Sequence, residues 1–267
     1  MPIEVCRMNR AAEQPLLSVE WWNAYFTKGG GWESNRGRLQ TRLFAEAFCA
    51  RSCLDRDAPY TILDASCALG DAMPVLRRFF PNATLFGSDF SDVAIRRCRE
   101  QFDELAEFSV RPMDQLDGMY DVIYSSNTLE HFLDWEERAR TLLSHCRHLA
   151  VLVPYNEQRA GKDLECFPPD QDHVRTFREH AFDFLLDEGL ADRVHPPQVF
   201  RVPGAWAWTP KQRLVQTAKN VARFALGRPL AREKWTVLFE VTNAKCCSPP
   251  ADKATEAVLS GQRCREL

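Results

Sequence analysis

A run of small residues, Ile62-Leu63-Asp64-Ala65-Ser66-Cys67-Ala68-Leu69-Gly70-Asp71, carries a strand into a tight turn and then into a helix. Small side chains at such a turn let backbone N–H groups approach a ligand closely, and the helix N-terminus behind them favours negative groups. Asp89 closes the next strand, Leu85-Phe86-Gly87-Ser88-Asp89, where a carboxylate can accept from both ribose hydroxyls of an adenosine cofactor. Asp114 follows a third strand and can accept from an adenine amino group. A fourth strand ends in the polar series Ser125-Ser126-Asn127-Thr128-Leu129-Glu130-His131, where a buried core strand would stay apolar. His131 and His173 are the histidines that fall near this edge.

Bringing these groups together requires a sheet whose strands all end on one side. β-branched and aromatic runs predict strands near 60–65, 83–88, 107–111, 120–125, 148–154, 198–202 and 235–242, alternating with helical patterns. That alternation is the signature of βαβ units around a mostly parallel sheet, whose carboxyl edge binds ligands. Helices are expected from Asp71, stopped by Pro81; from Ser91, an N-cap followed by Asp92; over 135–146; and over 176–188, ending at Gly189. Residues 1–50 read as a helical lid, 51–243 as the sheet domain with an insertion at 203–234, and 244–267 as a loose tail.

The chain has 267 residues, 45% hydrophobic and 27% charged, which suits one large domain and excludes disorder. Its longest apolar runs are of strand length, far short of the roughly 20 residues that cross a bilayer. Residues 1–14 carry Glu4, Arg7, Arg10 and Glu13 without an apolar core, so the expected compartment is the cytoplasm. A net charge of -3 gives no general field for nucleic acid, which is not an expected partner. Ten cysteines show no paired CxxC or CxxH knuckles, and no metal is expected; Cys246 and Cys247 stand out as oxidation-prone.

Taken in order, Asp64, Asp89, Asp114 and Leu129-Glu130-His131 make the chain resemble the class I S-adenosylmethionine-dependent methyltransferases. The resemblance runs from about Trp21 to Asn243. It implies an α/β, Rossmann-like, doubly wound sheet of seven mostly parallel strands with an antiparallel last strand, preceded by a helical lid. It implies S-adenosylmethionine as cofactor, with Asp64, Ser66, Ala68 and Gly70 lining the loop and Asp89 on the ribose. Phe90 would then flank the adenine, Asp114 and Gln115 meet its edge, and Ser125 and Asn127 border the methionine end. Ser66 and Ala68 depart from the glycines usual in the family, which would be costly if either position needs positive φ.

For catalysis the resemblance points to His173, in His173-Val174-Arg175-Thr176-Phe177, as general base or acceptor contact, with a ring satisfied by Asp172 as the alternative. His131 is a second candidate, or a residue that only shapes the cofactor pocket; the adjacent Glu130 is not read as its metal-binding partner. Tyr25, Trp32 and Arg175 are the expected substrate contacts. The layout is most similar to methyltransferases of glycan pathways, which implies a hydroxyl of a sugar or glycan precursor as acceptor. A quinone-like or other small hydroxylated metabolite is the alternative, and a cofactor-binding protein without turnover is a reading of another class. A nicotinamide dehydrogenase would need G-x-G-x-x-G, and Ser66-Cys67-Ala68-Leu69-Gly70-Asp71 does not supply it.

The insertion has its own character. Residues 211–234 carry seven cations and one acid, and Leu214, Val215, Ala218, Val221, Ala222 and Ala225 form an apolar stripe preceded by Trp206 and Trp208. Either the stripe packs on its own domain as a lid with a solvated basic face, or 206–234 contacts an anionic membrane or a phosphate-bearing acceptor.

Overall fold

Strands that are apolar on both faces need helices on both sides, and the central strands are built this way. The computed structural model describes residues 18–34, 37–159, 162–163, 173–201, 210–226 and 235–244. Within them, α1 (Val19–Phe26), α2 (Gly31–Ser34) and α3 (Gly37–Arg51) precede the sheet. β1 (Thr61–Ala65) leads to α4 (Met73–Phe79), and β2 (Thr84–Asp89) leads to α5 (Asp92–Phe102). Then follow β3 (Glu107–Val110), β4 (Tyr120–Ser126), α6 (Trp135–Ser144) and β5 (Cys146–Pro154). The remaining elements are a short pair, β6 (Gln158–Arg159) and β7 (Lys162–Asp163), then α7 (Phe184–Asp187), β8 (Ala191–Val194), β9 (Gln198–Arg201), α8 (Pro210–Ala225) and β10 (Trp235–Asn243).

The strand order is β3-β2-β1-β4-β5-β10-β8, with β9 also on β10. β1 to β5 pair in parallel, while β10 runs antiparallel to β5, with Thr236 opposite Pro154 and Thr242 opposite His148. The order reverses between β1 and β4, the point above whose carboxyl ends open α/β sheets bind ligands. On one face, Phe44 and Phe48 of α3 and Met73 and Leu76 of α4 pack on Ile62, Val122, Tyr124 and Leu152. On the other, Leu142 and Leu143 of α6 with Phe177 and Phe182 cover Ile123, Val151 and Phe239. Phe48 stacks on Tyr124 at 4.8 Å, and Phe182 lies 4.6 Å from Phe239.

The mostly parallel sheet with an antiparallel final strand is the architecture the sequence implies, with two differences. The seventh position is shared by two short strands, so among the described residues eight strands make up the sheet. β8 escapes a reading by apolar pattern because it is an edge strand, with Asp192 and Arg193 exposed. The helix expected over 176–188 is also corrected: only Phe184–Asp187 is helical. Upstream, Phe177 forms a parallel bridge to Tyr155, its carbonyl accepts from Asn156 N–H at 2.9 Å, and Thr176 Oγ1 accepts from Glu157 N–H at 2.6 Å. Tertiary burial of Phe177 and Phe182 in the sheet cluster overrides the helical period.

The other starts follow their caps. Ser91 Oγ accepts from Ala94 N–H at 3.0 Å and opens α5, and Ser18 Oγ accepts from Trp21 N–H at 3.1 Å and opens α1. Asp71 stays outside α4, whose first turn holds Pro74. In α8 every residue of the apolar stripe is exposed, Leu214 at 72% and Val221 at 64%, so the stripe is not packed on the described residues of its own domain. Trp206, Trp208, Asp172, Cys246, Cys247 and the tail beyond Ala244 lie outside the described residues.

Gly87 on β2 lets the sheet meet α4 and β3 closely: a Cβ there would fall 2.7 Å from the Phe108 ring and 3.0 Å from Met73 Cε. Gly87→Ala is expected to lower the unfolding free energy by roughly 1–3 kcal/mol, as overpacking does. Phe108→Leu in the same chain should recover part of the loss, both read from urea unfolding curves.

Candidate functional site

The turn after β1 is the conformational centre of the site. Ser66, Ala68 and Gly70 all adopt positive φ, at 66°, 50° and 71°. Alternating left-handed residues wind the turn tightly, so that Gly70 N–H donates back to the Cys67 carbonyl at 2.9 Å. Glycine takes this conformation at little cost, whereas a side chain there costs roughly 1–2 kcal/mol per residue. The strain anticipated from the departures at Ser66 and Ala68 is therefore present. It is held in place from β2: Asp89 Oδ2 accepts from Ala68 N–H and Asp89 Oδ1 from Ser91 N–H, each at 3.0 Å, and Cys67 N–H donates to the Ser88 carbonyl at 2.9 Å.

Two carboxylates share this pocket in low dielectric. Burial, with Asp89 as a lesser cause, pushes Asp64 up to about 8. Burial pushes Asp89 up to about 6 against the stabilising N–H groups of Ser91 and Ala68. One Asp64 oxygen, Oδ2, has no hydrogen-bond partner, and the buried hydroxyls of Ser88 and Ser125 also lack one. Buried polar atoms left unpaired are destabilising unless a ligand completes them. Behind the loop, Asp71 is buried and its Oδ1 is held by Arg38 at 3.3 Å and Arg42 at 3.1 Å, both from α3.

The remaining expected cofactor residues line the same edge at different depths. Phe90 is half-buried just past β2. Asp114 and Gln115 sit on an exposed turn after β3, with Asp114 3.5 Å from Arg138. Ser125 is buried near the end of β4, and Asn127 turns the chain out of it with φ 51°.

The opposite wall is made of acids and imidazoles. A 3₁₀ turn, Leu129–His131, presents Glu130 fully buried with neither carboxylate oxygen hydrogen-bonded. Its carbonyl accepts from Val174 and Arg175 N–H at 2.9 and 3.2 Å, which ties the 173–177 segment to this edge. His173 Nδ1 lies 2.6 Å from Glu157 Oε2 and Nε2 lies 4.0 Å from Glu130 Oε1. The rings of His131 and His173 meet edge-on at 5.0 Å.

Over this wall lies α1. Trp22 contacts the His131 ring at 5.9 Å, and Trp22, Tyr25 and Trp32 pack with Phe26 against Ala68 and Leu69 of the loop. Tyr25 stacks on Trp21 at 4.8 Å, and the Trp32 ring Nε1 is buried without a partner. The lid is anchored by polar contacts: Ser91 Oγ donates to Asn23 Oδ1 at 2.5 Å, and Asn23 Nδ2 donates to Asp92 Oδ1 at 3.0 Å. Arg97 holds the Phe26 carbonyl at 2.7 Å and pairs with Glu33. Two residues of the wall escaped sequence reasoning, Trp22 and Glu157. The second had a readable signal: an acid three positions beyond Pro154, at the same strand edge as the other acids.

The positive-φ turn, the strand-end acid and the polar end of β4 lie together in 33–188, the stretch that matches the family model described as "Methyltransferase domain". The chain belongs to the methyltransferase-domain family. A trans-aconitate 2-methyltransferase from Deinococcus radiodurans is 30% identical to this methyltransferase-domain protein over 112 residues, 40% of this chain and 43% of the relative. The matched region thus spans less than half of that curated relative's length. Among solved structures, a Haloferax volcanii methyltransferase in complex with a methyltransferase activator aligns with a TM-score of 0.56 at 16% identity, over 83% of this chain and 96% of that one. The plantazolicin methyltransferase BpumL in complex with SAH aligns with 0.52 at 17%, over 84% and 96%. At such identities the likeness is one of fold, and it is the fold described above.

The raised acids make stability depend on pH. Below pH 8 the folded chain holds protons on Asp64, and below 6 on Asp89, that unfolded carboxyls near 3.8 have lost. The native state binds more protons than the unfolded one, so stability falls as pH rises from about 4 to about 8. Asp64→Asn should flatten this slope and exceed the wild type at pH 8.5 by on the order of a few kcal/mol, measured by urea unfolding of cofactor-free protein.

Proposed function

We propose that this chain transfers a methyl group from S-adenosylmethionine to an acceptor hydroxyl, most simply that of a sugar or glycan precursor. The observation that carries the reading is the strained turn Ser66–Gly70, clamped by Asp89, together with the unpaired buried polar atoms of Asp64, Ser88 and Ser125 near the ends of β1, β2 and β4. These residues fit an adenosine cofactor that bears cationic groups. Asp89 oxygens each keep a lone pair for a ribose hydroxyl, and the buried acid Asp64 suits a positive neighbour. When bound, the cofactor supplies an electrophilic methyl on a sulfonium. Phe90, Asp114, Gln115, Ser125 and Asn127 complete the proposed cofactor contacts.

A hydroxyl acceptor needs its proton removed, and His173 is built for that. With Nδ1 directed at Glu157, the ring carries its proton there and Nε2 is its basic nitrogen. As Nε2 takes the acceptor proton, Glu130, 4.0 Å away, stabilises the imidazolium. His131 shapes the pocket between His173 and Trp22. Tyr25, Trp32 and Trp22 offer ring faces to an apolar sugar face or to a quinone-like ring, the latter being the alternative small-molecule acceptor. A second reading rests on Arg175, whose Nε has no hydrogen-bond partner. It suits a carboxylate acceptor, and one curated relative is named for trans-aconitate.

Labelled S-adenosylmethionine with a panel of nucleotide sugars, oligosaccharides, phenols and tricarboxylates tests the assignment. Transfer to a hydroxylated acceptor is expected, whereas transfer only to carboxylates selects the second reading. Cofactor binding without transfer to any of them selects a binding protein without turnover. His173→Ala should lower kcat by about 100-fold or more with cofactor affinity unchanged within a fewfold, as loss of a general base does. Wild-type turnover in that variant removes His173 from the mechanism.

We also propose peripheral contact of α8 with an anionic surface, because its apolar stripe is exposed in a segment of local charge +6. Among the described residues no helix is long and apolar enough to cross a membrane. Co-sedimentation with phosphatidylserine vesicles that weakens in high salt is expected, and no binding at low salt overturns the contact.

A further inference from the structure

The opposite edge of the sheet carries a second cluster of chemistry-bearing side chains, at the N-terminal end of β5. His148 lies on β5 opposite Thr242 of β10, and Glu240, two residues earlier on β10, points to the same face. His195 follows β8 directly and its N–H donates to the Glu240 carbonyl at 2.9 Å. Cys53 follows the end of α3, which covers this face. We infer that Cys53, His148 and His195, with Glu240, form a binding site for a zinc-type divalent transition ion.

The donor set and its convergence support the assignment. One ligand atom from each of Cys53, His148 and His195 lies within 4.8 Å of the other two. A tetrahedral zinc ion, with bonds of about 2.0–2.3 Å, sets its ligands roughly 3.3–3.8 Å apart, so an inward shift of about 1 Å completes the shell. Glu240 is buried, and its Oε1 lies 3.1 Å from His148 Nε2 and 3.8 Å from Cys53 Sγ, positioned as a fourth ligand. Ser52 Oγ donates to the same oxygen at 2.5 Å, and His195 Nε2 lies 3.2 Å from Thr242 Oγ1, the kind of outer contacts that orient ligands. Thiolate with imidazoles and a carboxylate is a set that zinc accepts and that magnesium or calcium does not favour. The site uses no residue of the proposed reaction, so it stands or falls separately from turnover. Its effect would be to fasten the end of α3 to β5, β8 and β10.

The test uses the full chain, stripped with chelator and titrated with zinc chloride or cobalt(II) chloride. One equivalent of ion is expected to bind, with cobalt giving a thiolate charge-transfer band and tetrahedral ligand-field bands, and zinc raising Tm. Cys53→Ser should abolish the charge-transfer band and weaken binding at least tenfold. His195→Ala, at a half-buried position, should weaken it by a similar factor, with far-ultraviolet circular dichroism showing both variants folded. Cys246→Ser with Cys247→Ser should bind as the wild type. Absence of stoichiometric binding, a band that survives Cys53→Ser, or a band lost in the Cys246/Cys247 variant would each overturn the inference.

Discussion

One carboxylate, that of Asp89, connects the parts of the site to one another. Its two oxygens take the N–H groups of Ala68 and Ser91, and so fix the left-handed turn and the start of α5 together. Ser91 in turn caps α5 and reaches Asn23, which seats α1 over the turn. Loop, helix and lid thus depend on a single buried acid, whose charge is resisted by its own burial and sustained by those N–H bonds. Removing it would leave buried amide donors unpaired as well as deleting a ligand contact.

The site as a whole stores unfavourable terms. Ser66, Ala68 and Asn127 hold positive φ, Asp64 and Asp89 sit in low dielectric, and Glu130 is buried with neither carboxylate oxygen hydrogen-bonded. The sheet offsets these with cores on both faces, in which Phe48, Tyr124, Phe182 and Phe239 are fully buried. Strain of this kind, held by the surrounding structure at strand ends, is the kind that clusters at ligand sites.

Much of this is legible in the sequence. The acids announce themselves because Asp64 and Asp89 close buried strands, β1 and β2, and Glu130 follows a third, β4, at positions where a core would otherwise be apolar. The positive φ at Ser66 and Ala68 was foreseeable as a conditional cost, since only the geometry of the turn decides it. Other features depend on partners distant in sequence. The period over 176–188 looks helical, yet Phe177 and Phe182 answer to the sheet face. Trp22 and Glu157 gain meaning only beside His131 and His173. The cluster of Cys53, His148 and His195 has no local spacing at all, because α3, β5 and β8 bring it together.

The place of β10 bears on how the chain assembles during synthesis. β10 is the last of the described strands in chain order, yet it lies between β5 and the β8–β9 edge. Until residues 235–243 leave the ribosome, β8 and β9 have no strand to pair with, and the apolar flank of β5 is an open edge. A nascent chain therefore carries a nearly complete parallel half-sheet with an unpaired border, the kind of intermediate that recruits chaperones or other nascent chains. Closure by an antiparallel strand made after β8 and β9 joins three pairings in one step, in which one strand seals β5 and captures both edge strands together.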